Sequence, residues 1–177
     1  MTTPVFQPHP DPSYPPPRGN VLLLSCMDLR LIDDIVKFMN HDNLSNRYDQ
    51  FILAGAALGA LGGCDENYAH WRKSFFDHLG AACQLHNIQD VYILEHRNCG
   101  AYHKVFHVAD EFGDSDAELK KEADCHRKYA QLLEEEIAAW CAEQKIHLRV
   151  RSFLMGIRGE VALLTDPKKT SRPKRKS

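Results

Sequence analysis

The stretch VLLLSCMDLRLIDDIVKFMN, residues 21–40, decides the fold. Its first four residues are a continuous apolar run, the pattern of a short strand covered on both faces of a parallel sheet. Ile32, Ile35, Val36 and Met39 then recur at helical spacing, and the turn-rich HDNLSN at 41–46 closes that helix. The alternation continues along the chain. Phe51-Ile52-Leu53 is a second strand running into the small-residue stretch AGAALGALGG at 54–63. Trp71, Phe75, Leu79, Ala82 and Cys83 form a helical stripe, and Val91-Tyr92-Ile93-Leu94 is a third strand. Leu119, Ala123, His126, Ala130, Leu133, Ile137 and Trp140 alternate spacings of four and three and predict the longest helix, with Ser115 and Glu118 as its capping-box start. Leu148, Val150, Ser152 and Leu154 alternate as a fourth strand, and Gly159 permits a turn into a short hairpin partner at 161–164. Helices between strands imply right-handed crossovers. The expected fold is therefore α/β, with a mainly parallel central sheet of order 2-1-3-4, a short antiparallel fifth strand, and flanking helices.

Outside this body the two ends differ in kind. Seven of the nine prolines precede Arg18, so residues 1–18 read as an extended arm that can lie across a partner subunit. Residues 166–177 carry six basic side chains against one acid and no apolar residue to bury, which predicts a disordered basic tail on an acidic catalytic body, residues 19–165. A total of 177 residues suits one domain, and 44% hydrophobic with 26% charged residues excludes a chain disordered throughout. No run nears the roughly 20 apolar residues of a membrane helix. The N-terminus has neither the basic nor the apolar region of a secretory signal. Six cysteines without an export signal read as thiols or metal ligands, and the expected compartment is the cytoplasm.

Two motifs fall where an α/β sheet places its ligands, just beyond the carboxyl ends of strands: Cys26-Met27-Asp28-Leu29-Arg30 after the first and His96-Arg97-Asn98-Cys99-Gly100 after the third. If those strands are neighbours, Cys26 meets His96 and Cys99. Two thiolates and an imidazole suit Zn²⁺, which at a catalytic site takes three protein ligands and keeps one position open. Such a centre is neutral overall, so its water needs help to ionise. Asp28, two residues from Cys26, is placed to accept a hydrogen bond from that water, and Arg30 to hold Asp28 ionised.

The pair CxDxR and HxxCG resembles the β-class carbonic anhydrases, a family that includes hydrolases of COS and CS₂. The similarity runs from Gly19 to Leu164 and takes in the AG-rich stretch, VYILEH and the SFLMGIRGEV hairpin at 152–161. The resemblance implies Cys26, His96 and Cys99 as ligands of one zinc per chain and Asp28 with Arg30 as the catalytic dyad. It also implies a homodimer, or a larger assembly built from it, with active sites near the subunit boundary. The implied reaction is reversible hydration of carbon dioxide to bicarbonate by attack of zinc-bound hydroxide. In some relatives the residue matching Asp28 instead closes the zinc site. One departure stands out: where many members read Arg-Asn-Ala-Gly, this chain has Ile52-Leu53-Ala54-Gly55. That removes a charge tied to bicarbonate regulation and makes the cleft more apolar, which suits COS or CS₂ as the alternative substrate.

Other signals carry less. Cys83 and Cys141 sit on apolar helical faces, Cys64 in a glycine-rich turn and Cys125 on a charged helix, so all four read as structural. His103 and His107, four apart, read as structural or surface residues ahead of a second metal pair or proton shuttles, and His126 as a hydrogen-bonded core histidine. The spacing of AGAALGALGG matches no nucleotide loop. A cysteine-dependent phosphatase needs an arginine six positions after its nucleophile, and Arg30 is four after Cys26. A non-catalytic zinc or bicarbonate-sensing protein remains the reading from another class. Neither membrane nor nucleic acid is an expected partner.

Overall fold

The computed structural model describes residues 18–165 and the backbone of Pro4–Phe6. One six-stranded sheet organises it. The strands are β1 (Pro4–Phe6), β2 (Val21–Ser25), β3 (Tyr48–Ile52), β4 (Asp90–His96), β5 (Arg149–Met155) and β6 (Val161–Leu163). Their spatial order is β1-β6-β5-β4-β2-β3. The four strands β3, β2, β4 and β5 run parallel, and β6 and β1 add antiparallel pairs at one edge. Apart from β1 this is the order expected from the sequence. The extra strand lies within the proline-rich arm. Three residues are too few for a period-2 signal, and a proline without a backbone donor is tolerated on an edge. Residues 1–3 and 7–17 of that arm and the basic tail lie outside the described residues.

The buried strands separate their side chains by parity. Val21, Leu23, Tyr92, Leu94, Phe153 and Met155 pack with Ile35, Phe38 and Met39 of helix α1 (Ile32–His41) on one face. Leu22, Leu24, Val91 and Ile93 face the other way, against α2 (Ala56–Ala60), α3 (Ala69–His86) and α4 (Asp116–Gln144). Burial on both faces is why these strands read as continuous apolar runs. Helix α4 starts as its sequence signals, with Ser115 Oγ accepting from the Glu118 N–H at 3.3 Å. The apolar stripe of α1 is narrower than its spacing predicts: Ile35 and Met39 are buried, but Ile32 and Val36 are 63% and 43% exposed. They lie beyond the line of contact with the sheet.

Candidate metal centre

The β2–β4 register sets the site. Ser25 lies opposite Leu94 in a parallel pair, so β2 ends beside β4 two residues before β4 itself ends, at the carboxyl end of the sheet. Cys26 is the first residue past β2. His96 is the last residue of β4, and Cys99 sits three residues on, where the chain enters a π-helical turn, Ala101–Val105. The ligand atoms of Cys26, His96 and Cys99 all lie within 4.8 Å of one another, and all three residues are buried. The sulfurs of Cys26 and Cys99 are 3.8 Å apart, in hydrogen-bond contact and not joined as a disulfide. Two zinc–sulfur bonds of about 2.3 Å at a tetrahedral angle span about the same distance.

The imidazole is oriented for the same purpose. A carbonyl oxygen can only accept, so His96 Nδ1–H donates to Arg97 O at 2.8 Å. That leaves Nε2 toward the cysteines, buried and without a hydrogen-bond partner, 3.9 Å from Asp28 Oδ2. A buried orphan nitrogen beside two sulfurs is the arrangement a soft divalent metal satisfies. The donor set present therefore fits zinc.

Electrostatics reinforce it. The contact with the Cys99 sulfur holds the Cys26 thiol below its ordinary range against the opposing effect of burial; His96 and the Gly55 N–H help. The same contact, together with burial, pushes Cys99 up. Burial works against a charged His96, but the nearby Cys26 sulfur and the Arg97 carbonyl outweigh it, and its pKa is raised. The Gly55 N–H reaches Cys26 Sγ at 3.4 Å. It does so from a left-handed backbone, φ 75°, with the Phe106 and Ala101 side chains at 3.0 and 3.3 Å from where a Cβ would stand. Glycine at 55 thus permits both the turn and the close approach.

Asp28 and Arg30 stand at the rim. Arg30 donates from its backbone N (3.0 Å) and Nε (2.9 Å) to Asp28 Oδ1 and from Nη2 to Oδ2 (2.6 Å). The Arg30 side chain is the main reason the Asp28 pKa falls to about 2, burial notwithstanding. All five residues singled out from the sequence are thus brought to one end of the sheet. Cys83, Cys125 and Cys141 are free thiols elsewhere. His103 and His107 line a separate cleft of about 440 Å³ that includes none of the five.

Two carboxylates beneath the site have no counterpart in the sequence reading. Glu95, fully buried, accepts from the Ala57 N–H (2.8 Å), the Tyr102 hydroxyl (3.1 Å) and His126 Nδ1 (2.7 Å). Glu122, also fully buried, accepts from Arg97 Nε (2.8 Å) and the Asn98 N–H (2.5 Å). Their only sequence signal is an acidic residue inside an apolar strand and on an otherwise apolar helix face.

No family model matches the sequence. Among solved structures the chain resembles the β-carbonic anhydrase CafD of Aspergillus fumigatus, with a TM-score of 0.56 and 14% identity over 93% of this chain and 99% of that one. A variant of the same fungal protein gives a TM-score of 0.51, again at 14% identity, over 94% and 99%. The fold is that of the β-carbonic anhydrases. In sequence, the chain is 33% identical over 144 residues to an uncharacterized protein of Rickettsia bellii, covering 81% of this chain and 80% of that one. It is 32% identical over 143 residues to an uncharacterized protein of Rickettsia conorii, covering 81% and 70%. The chain belongs to one family with these rickettsial proteins.

Proposed function

We propose that the chain is a zinc enzyme catalysing the reversible hydration of carbon dioxide to bicarbonate, with Cys26, His96 and Cys99 holding the metal and Asp28 and Arg30 forming the catalytic dyad. The fold alone admits other chemistries. The observation that carries the proposal is the convergence of three buried ligand atoms, one of them the orphan Nε2 of His96, beside an ionised Asp28.

Zinc, when bound, supplies Lewis acidity toward water. The protein supplies the rest. Asp28, charged at any pH above its depressed pKa, accepts a hydrogen bond from the attacking water and turns a lone pair toward the substrate carbon. Arg30 keeps that carboxylate in place through both oxygens and adds positive charge where bicarbonate develops. Ile52 pairs with Ser25 and the Leu53 N–H donates to Ser25 O, so two uncharged apolar residues flank the strand end that leads into Cys26. Met27 and Leu29 within the first motif, Ile32 at the start of α1 and Ile52 on the edge strand β3 are 66%, 86%, 63% and 48% exposed. That apolar surface supports a homodimer, or an assembly of dimers, in which a second copy covers the site.

The absence of a charged residue at 52 and 53 favours a second reading, hydrolysis of COS or CS₂ on the same centre. A side-by-side assay of the zinc-loaded protein with CO₂, COS and CS₂ decides. Carbon dioxide is expected to turn over fastest; faster COS or CS₂ turnover establishes the alternative, and none with any gas leaves a non-catalytic zinc protein.

A further inference from the structure

Helix α4 reaches the loop after β4 through a buried charge, Glu122. Glu122 takes the Arg97 side chain on Oε2 and the Asn98 N–H on Oε1, both in the loop after β4. It thereby holds Asn98 at φ 54°, a left-handed backbone for which asparagine is among the more tolerant residues. The two carbonyls of that loop each engage a site residue. Arg97 O receives His96 Nδ1–H, which leaves Nε2 toward the sulfurs. Asn98 O receives Arg30 Nη2 at 3.1 Å, the same nitrogen that grips Asp28.

We infer that Glu122 is a positioning residue: by fixing the loop at 97–98, one buried carboxylate on α4 sets both the metal-facing orientation of His96 and the placement of the Asp28–Arg30 dyad. This rests on the zinc reading above. Partners behind a metal ligand typically cost about 10–100-fold in metal affinity or activity when removed. A merely structural Glu122 would instead behave like Glu134 of the same helix, which accepts from Ser152 Oγ (2.5 Å) and Thr165 Oγ1 (2.6 Å) and bonds to neither motif.

The test compares the full-length protein with Glu122→Ala, Glu122→Gln and Glu134→Ala. Three quantities are read: zinc affinity by competition with a chromogenic chelator, the visible spectrum of the cobalt-loaded protein, and the melting temperature of the metal-free form. Glu122→Ala is expected to lose about 10–100-fold in zinc affinity and to shift the cobalt bands. Glu134→Ala should keep both while melting lower. Glu122→Gln should fall between, because the amide keeps an acceptor for the Asn98 N–H but loses the charge facing Arg97; it decides the matter if the alanine variant does not fold. Zinc affinity within about twofold of the parent with an unchanged cobalt spectrum in the Glu122 variants overturns the inference, as does an equal loss in Glu134→Ala. Failure of the parent protein to bind zinc is a different result and removes the metal reading itself.

Discussion

Asp28 and Arg30 are joined by three hydrogen bonds across a two-residue span, and Arg30 continues to Asn98 O in the opposite motif. The carboxylate is therefore both ionised and aimed, and it stands 3.9 Å from the free nitrogen of His96 without being hydrogen-bonded to it. Asp28→Asn keeps the shape but gives up the charge and one acceptor. The variant is expected to hold as much zinc as the parent, by elemental analysis, while carbon dioxide hydration in stopped flow falls by about 10²–10⁴-fold. Undiminished hydration removes Asp28 from the mechanism.

The same pair has a signature in acid. The Asp28 pKa in the fold is about 2 against an ordinary 3.8. A depressed carboxylate contributes stability that is present above the unfolded value and is lost as pH falls through the folded one. Urea titrations of metal-free parent and Asp28→Asn are expected to differ at pH 6 and to converge at pH values near 2. A gap that persists unchanged to pH 2 contradicts the assignment. Any activity inflection above about pH 5 belongs to a group other than Asp28.

Gly55 offers a backbone test. At φ 75°, with Phe106 only 3.0 Å from the position of an added Cβ, Gly55→Ala combines strain with a clash. A loss of about 1–3 kcal/mol is expected from urea unfolding. Because the N–H of residue 55 meets Cys26 Sγ, zinc affinity should fall too. A stability equal to that of the parent would show that the turn relaxes freely.

Glu95 neighbours His96 in sequence and bonds to α2, the π-helical turn and α4. Burial and the nearby Glu95 charge push the Tyr102 hydroxyl well up, so it stays a donor. Glu95→Ala leaves the Ala57 N–H, the Tyr102 hydroxyl and His126 Nδ1–H without their acceptor. A destabilisation of about 3–5 kcal/mol is expected by chemical denaturation. A loss below about 1 kcal/mol would mean that water replaces the carboxylate.

Much of this was legible in the sequence because it is local. A buried parallel strand announces itself as an unbroken apolar run, and Cys26, Asp28 and Arg30 follow one such run directly, as His96 and Cys99 follow another. Strand order then brought the two motifs together. The less legible parts depend on contacts distant in the chain. Periodicity counts apolar positions, so the stripe of α4 shows Leu133 and Ile137 but passes over Glu122, whose burial is balanced by Arg97 and Asn98 from another element. Glu95 stands in the sequence only as one acid at the end of an apolar strand, since nothing local shows that three donors converge on it. Ile32 and Val36 fit helical spacing with Ile35, yet the sheet covers only part of that arc and leaves them exposed. The 3.8 Å between two sulfurs 73 residues apart could be expected as proximity, not as a distance.

Two loops at the ends of neighbouring strands form one candidate metal centre. Zinc K-edge absorption on the purified, metal-replete protein, paired with elemental analysis, addresses it directly. About one zinc per chain is expected, with two sulfur neighbours near 2.3 Å and nitrogen near 2.0–2.1 Å, and loss of the metal in Cys99→Ser. A shell of oxygen and nitrogen without sulfur, or full zinc occupancy in Cys99→Ser, would contradict it.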